Sequence, residues 1–441
     1  MSSTYHRFLS LPAIVVVACA CALATARVPA RATTARTLVI RGAGFGHGVG
    51  MSQEGALGYA QHGYEYSSIL AHYYTGTALS QAPAGERVRV LLQGNAGRVL
   101  LSGADHANGH PLNPSASYAV TLHGRHGVLL RGGRTHVSGA TLRVTGPALL
   151  KLRGVAENGV RDGLYRGALE LAPALGRGVN AIDDVSLEDY TRGVISGEAG
   201  ASWPAAVLNA QAVASRTYGI TAHSGPSNAF DVYSDTRSQV YRGVVAETPS
   251  TDRAVAATSG QLVSYGGRPV ITYFFSTSGG RTENVENAFP GAAPEPWLRG
   301  VPDPFDEGSL HSWSKSLGFS AAASRLRGLT RGAFRGIEVL ERGYSPRILS
   351  AYVLGSGGRT KVSGGTLAAR LSLYDTWAYF SINDSHGTRP EPDHSGQSEP
   401  ANPEPSSPAP TAPDPSGGVL PGTSPTQTPV DGQGGTAAPT L

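Results

Sequence analysis

Between Arg192 and Arg216 this chain carries a single charged residue, Glu198, and from Pro204 to Ala222 the only charge is Arg216. The rest of that second stretch is Ala, Val, Leu, Ile and small polar groups. A helix so poor in charge has no face suited to water, which predicts burial on most sides. Ser202-Trp203-Pro204 opens it, since proline suits a first helical turn. Ser186-Leu187-Glu188-Asp189 fits a capping box for the helix before it. Glu198 then falls in a Gly/Ser turn between the two. Buried charges must be paired or hydrogen-bonded. Two lone opposite charges around one apolar helix therefore predict either a structural ion pair or a carboxyl whose pKa is set for proton transfer.

The pattern changes on either side of this stretch. Residues 86–185 alternate apolar and polar positions between Gly, Asn and Pro turns, as in Arg87-Val88-Arg89-Val90-Leu91-Leu92, which is the signature of short antiparallel strands. Residues 37–80 read as a strand (Thr37 to Ile40), a glycine loop and a helix from Ser52 to His62, followed by Tyr64 to Tyr74. Residues 186–384 begin helical and become mixed, with Ile271 to Ser276 as a buried strand and a polar loop from Thr277 to Asn287. The expected class is α+β, a mixed core with a strand-rich inserted region.

The two ends read differently. Arg7, an apolar run from Phe8 to Leu23 and Ala24-Thr25-Ala26 make residues 1–26 a secretory signal peptide. Val16-Val17-Ala18-Cys19 also fits a lipoprotein box, so a membrane tether is expected only through an acylated Cys19. Both cysteines, Cys19 and Cys21, lie in this segment, so the mature body has no disulfide, no thiolate metal site and no cysteine nucleophile. Residues 385–441 hold 13 of the 30 prolines among Ser, Thr, Gly and Asp, a composition that predicts a disordered tail. The tail is acidic, which leaves +8 of formal charge on residues 27–384. A basic body suits a polyanionic neighbour, a bacterial wall or a nucleic acid, and equally an ordinary soluble surface.

Two further segments offer chemistry. In Gly44-Phe45-Gly46-His47-Gly48-Val49-Gly50-Met51-Ser52-Gln53, alternate glycines let backbone approach closely, and His47, Ser52 and Gln53 supply donors and acceptors. The run fits neither a dinucleotide fingerprint nor a phosphate loop, which disfavours nucleotide binding. Ser276-Thr277-Ser278-Gly279-Gly280-Arg281-Thr282-Glu283-Asn284 leaves the expected strand and either lines a cleft or turns the chain. No serine stands in G-x-S-x-G, and Ser312-Trp313-Ser314-Lys315 fits S-x-x-K without the companion motifs of penicillin-recognising enzymes.

Together these residues carry a resemblance. Leu187-Glu188-Asp189-Tyr190 through Glu198, Ser202-Trp203-Pro204, Gln211 to Tyr218, Gln239-Val240-Tyr241 and Ser276 to Gly280 occur in order and resemble the SpoIID/LytB family, named for stage II sporulation protein D and an amidase enhancer. Gly46 to Gln53, Gly55-Ala56 and Tyr73-Tyr74-x-Gly76-Thr77 are similar to that family's other signature. The resemblance implies an exported lytic transglycosylase associated with the cell wall. It would act on peptidoglycan glycan strands with Glu198 as general acid and base. Arg216, His47, Ser52, Gln53, Gln211, Tyr218, Ser276, Ser278 and Glu283 would stand on the substrate side.

The same resemblance allows a second reading, a non-catalytic wall-binding amidase enhancer that works with a wall amidase. It implies no cofactor and no nucleic-acid partner. The cysteines and histidine that hold zinc in some members have no counterpart in Tyr233-Ser234-Asp235-Thr236-Arg237-Ser238, so no structural zinc is expected. The His47 signature usually follows the glutamate region and here precedes it, as a circular permutation would leave it. If the order is permuted, the strand near Trp377 to Ile382 should lie beside Thr37 to Arg41.

Overall fold

The structure, a computed structural model, describes residues 36–222, 229–384 and 387–390. The expected signal peptide and the tail beyond residue 390 lie outside the described residues. Among those described, no helix is long and apolar enough to cross a membrane. Strands and helices come in separate runs along the chain, in the α+β manner expected.

The strand-rich stretch forms two sheets. In Arg87–Ala96, Val88, Val90 and Leu92 turn inward and alternate with Arg87 and Arg89. Strands on either side repeat that period of two, so inward positions of a six-stranded and a seven-stranded sheet share one core. Leu101, Val120 and Leu130 from one sheet meet Val90, Leu169 and Ala181 from the other. The seven-stranded sheet does not end with the inserted region. Its strand Val179–Ser186 runs directly into the helix Leu187–Glu198, and Val232–Tyr233, from beyond the next helix, pairs in parallel with Arg87–Ala96.

Five helices form the central unit: α1 (Gln53–Gln61), α2 (Tyr66–Tyr73), α3 (Leu187–Glu198), α4 (Ala205–Thr221) and α5 (Pro249–Ala257). Pro204 caps α4, and Ser186 caps α3 by accepting the Asp189 N–H at 3.2 Å. Helix α4 is buried from Gln211 to Gly219 without interruption, as its lack of charge required. It packs against the other four helices. Val207 and Val213 join Val49, Met51, Tyr73 and Tyr74 in one cluster, so residues from the start of the described chain complete the core around α4. Each such aliphatic side chain contributes about 1.5–3 kcal/mol by leaving water.

A C-terminal unit combines the strands Phe334–Arg342, Ile348–Gly355 and Gly358–Ser363 with a four-stranded sheet. In that second sheet Thr37–Ala43 lies between Ser312–Gly318 and Ala378–Asp384, with Leu38 opposite Ile382 and Ile40 opposite Phe380. This is the pairing expected of a permuted order. Two expectations need correction. The tail does not begin at residue 385 as a disordered segment, because Gly387–Pro390 adds to the sheet edge against Ala378–Asp384. Main-chain hydrogen bonding extends a sheet whatever the side-chain composition. The buried strand read over Ile271 to Ser276 shrinks to Phe274–Phe275, parallel to Met51–Ser52. Just before it, the Tyr273 carbonyl turns aside to accept from the Met51 N–H and the Tyr74 hydroxyl.

Candidate active site at the end of helix α3

Glu198 is the last residue of α3 rather than part of a turn, and it is half-buried. Its Oε1 accepts the Val240 N–H at 2.6 Å. Burial pushes its carboxyl above the ordinary glutamate pKa; the Val240 N–H, the Gln53 side chain and the charge of Arg242 pull the other way without cancelling that rise. No cation forms an ion pair with it among the described residues. Arg216 instead pairs with Glu188.

The segment that reaches Glu198 is held in place by absent side chains. A Cβ on Gly197 would stand 2.7 Å from the Val240 carbonyl oxygen, and one on Gly193 would enter the Tyr241 ring. These glycines are four residues apart, on one face of α3, so Gln239-Val240-Tyr241 lies flat against the helix backbone. Tyr190 donates its hydroxyl to Gln239 Oε1 at 2.9 Å and stacks on Tyr241 at 5.6 Å. Tyr241 in turn donates to Asp183 Oδ2 at 2.7 Å. Asp183 is fully buried and pushed up to about 7 by that burial. Sequence reasoning missed both Asp183 and the glycine face; a Gly-x-x-x-Gly spacing directly before Glu198 was the available signal.

The glycine loop arrives from the other side. Gly44, Gly46, Gly48 and Gly50 all adopt positive φ, and a side chain on Gly48 would collide with the Arg347 guanidinium. The loop delivers Ser52, which caps α1 by accepting the Gly55 N–H at 3.1 Å. It also delivers Gln53, whose Nε2 donates to the Glu198 backbone carbonyl at 3.1 Å and to Gln211 Oε1 at 3.4 Å. Gln211 continues to Ser215 Oγ at 3.0 Å, tying α1 to α4 behind the carboxyl. His47 Nδ1 accepts the Val49 N–H at 3.1 Å inside a box of Tyr273, Phe275 and Phe289. Burial, reinforced by the Arg347 charge, lowers its pKa to about 4, so it is neutral at pH 7.

The structure thus brings Glu198, Gln53 and Gln211 together and leaves Ser276 half-exposed beside the loop. The other residues expected on the substrate side are engaged within the protein. Arg216 is fully buried and donates to both Glu188 oxygens, at 2.8 and 2.9 Å, and to the Val255 and Gln261 carbonyls. Glu283 is buried as an acceptor for the Tyr344 and Ser345 N–H groups and the Ser345 hydroxyl. Ser278 donates to Asp306, out of solvent. Tyr218 is buried against Tyr273, and Ser52 is sealed where it caps α1. His47 shapes the loop. Each is a polar residue in a functional-looking segment, and each is engaged by a neighbouring backbone group, side chain or ring. A clamp was missed altogether: Arg347, paired with buried Asp375 at 2.7 Å, donates to the Ser278 and Arg281 carbonyls and fixes the Ser276–Gly280 loop.

Residues 176–265, which contain α3, α4 and the Gln239–Tyr241 segment, match a family model described as SpoIID, stage II sporulation protein. An uncharacterized protein of Brachyspira hyodysenteriae is 33% identical over 169 residues, 38% of this chain and 44% of the relative. Stage II sporulation protein D of Bacillus subtilis is 30% identical over 145 residues, 29% of this chain and 42% of the relative. The amidase enhancer of the same organism is 36% identical over 111 residues, 25% of this chain and 14% of the relative. The chain therefore spans less than half the length of each of these relatives.

Proposed function

This chain belongs to the SpoIID/LytB family through its residues 176–265, and from that premise we propose that it is an exported lytic transglycosylase of peptidoglycan glycan strands. One observation supports the reading most: Glu198 is half-buried, has no ion-pair partner among the described residues, and is raised in pKa at the rim of a fixed backbone segment.

In the protonated acid, the oxygen that accepts the Val240 N–H is the carbonyl oxygen, so the proton sits on Oε2. Oε2 donates it to the glycosidic oxygen as the anomeric bond breaks. The resulting carboxylate takes a proton from the sugar's own C6 hydroxyl, which attacks the anomeric carbon and closes a 1,6-anhydro ring. The substrate supplies the nucleophile, so one carboxyl performs both transfers, where ordinary glycosidases need two. A raised pKa keeps the acid protonated nearer neutrality, and Val240 and Gln53 keep it aimed.

Incubation with glycan strands stripped of stem peptides, read by mass spectrometry for anhydro-muramyl ends, tests the proposal. Product from the wild type and none from Glu198→Gln is the expected result. Equal product from both removes Glu198 from its role. The relative named as an amidase enhancer favours a second reading, a non-catalytic partner of a wall amidase; binding without any product would select it. The early His47 signature and the pairing of Thr37–Ala43 with Ala378–Asp384 support a circularly permuted order.

A further inference from the structure

The strand-rich region carries a surface pocket of about 300 Å³, lined in part by Gln93, Arg98, Leu100, Arg153, Val155 and Glu157. Arg98 and Arg153 are exposed, and among the described residues neither has a carboxylate partner. Several other arginines around these sheets are paired. Arg87 and Arg143 both pair with Asp184, Arg89 pairs with Glu170, and Arg237 pairs with Glu157 and Asp235. Val155, between the two sides of the pocket, leaves an apolar surface 49% exposed.

The pocket is tied to the candidate active site. Glu157 accepts the Gly94 N–H on the pocket side and Arg237 Nη2, at 2.6 Å, on the other. Arg237 precedes by three residues the Val240 whose N–H holds Glu198. Asn158 donates to the Tyr241 carbonyl. Next along the chain, exposed Arg242 lies against Gly197 and within electrostatic reach of Glu198, without forming an ion pair among the described residues. Guanidinium groups without a carboxylate partner among the described residues thus stand at both ends of one connected segment: Arg242 at the carboxyl, Arg98 and Arg153 in the pocket.

We propose that Arg242, Arg98 and Arg153 form a binding track for the carboxylates of a peptidoglycan strand, with the pocket of the strand-rich region as its outer subsite. The inference rests on the wall-glycan reading above and deepens it. A glycan chain repeats its carboxyl-bearing sugar at regular intervals, so one strand seated over Glu198 presents a further carboxylate beyond it. A guanidinium beside an apolar side chain, as in Arg153 and Val155, suits a lactyl group, which carries a methyl next to its carboxylate. Stem-peptide carboxylates share that chemistry.

The test uses the full chain with Glu198→Gln, so that no strand is cut, and measures binding by calorimetry. The probes are denuded glycan, the same glycan methyl-esterified, and peptide-bearing glycan. Adding Arg98→Ala and Arg153→Ala is expected to weaken binding to denuded glycan about tenfold, through two solvent-screened contacts. Esterified glycan should bind the parent at least as weakly as denuded glycan binds the variant, because esterification also removes the contact at Arg242. A loss confined to peptide-bearing strands upholds the track and assigns its anions to stem peptides. Equal affinities for parent and variant on every strand, or no binding to any, overturn it. Anhydro ends from the wild type would still uphold the catalytic reading in that case, and their absence alongside arginine-dependent binding would end that reading and leave the track.

Discussion

Helix α3 carries glutamates ten residues apart, in opposite circumstances. Glu188, in its first turn, is held by both arms of fully buried Arg216 and also accepts the Gly260 N–H at 3.0 Å. Glu198, at its end, has a backbone N–H and an amide for company and, among the described residues, no ion pair. The first carboxylate has a fixed counter-charge, which makes it part of the scaffold. The second is desolvated without one, so its proton is held more tightly than usual and remains available. The presence or absence of a counter-ion separates a scaffold carboxylate from the proposed acid on a single helix.

The sharpest way to break this contrast is at Glu198 itself. Glu198→Gln should lower the yield of anhydro ends by about 10²–10⁴-fold, the usual worth of a general acid–base group. Its thermal midpoint should stay within a degree or two of wild type. At the other end of the contrast, Arg216→Ala should lower stability by about 3–5 kcal/mol, since it leaves Glu188 without its partner. Denaturant unfolding would measure that loss, while turnover per folded molecule should be unchanged. A variant that folds well and turns over slowly would instead place Arg216 in the chemistry.

Gly197→Ala probes how Glu198 is aimed. The new methyl meets the Val240 carbonyl, so the N–H that holds Oε1 must shift. Activity should fall about 10- to 100-fold, as misplacement of a catalytic group by an ångström does, while Gly197→Ser should be no better. The smallest expected effect is at Gln53, whose side chain favours the ionised form of Glu198. Gln53→Leu removes that support, so the alkaline limb of the pH–rate profile should move up in pH. Below the ordinary glutamate pKa the two proteins should converge. A limb that moves down would mean that Gln53 stabilises the protonated acid instead.

Asp183 gives the same physics a stability readout. Its folded pKa of about 7 lies above the ordinary aspartate value. The folded state therefore binds its proton more tightly, and that contribution, full at low pH, is lost as pH rises toward about 7. Asp183→Asn should flatten this decline in a plot of unfolding free energy against pH.

What the sequence determined alone is the set of features that a local pattern forces. A stretch without charge cannot face water, so α4 is buried. Alternation with a period of two makes sheets of residues 86–185, and one lone glutamate in an apolar setting stands out as Glu198. Even the pairing of Thr37–Ala43 with Ala378–Asp384 was legible from motif order. What only the tertiary structure decided is which groups meet. Arg216 faces Glu188 rather than Glu198 because of how α3 and α4 pack, and spacing along one chain does not encode that. Glu283, Ser278 and His47 looked available because a polar side chain reads the same whether it meets a ligand or a neighbouring backbone. The Arg347–Asp375 clamp brings the C-terminal unit onto a loop far from it in sequence. Electrostatic partners are set by distances of a few ångströms in space, and those distances exist only once the chain has folded.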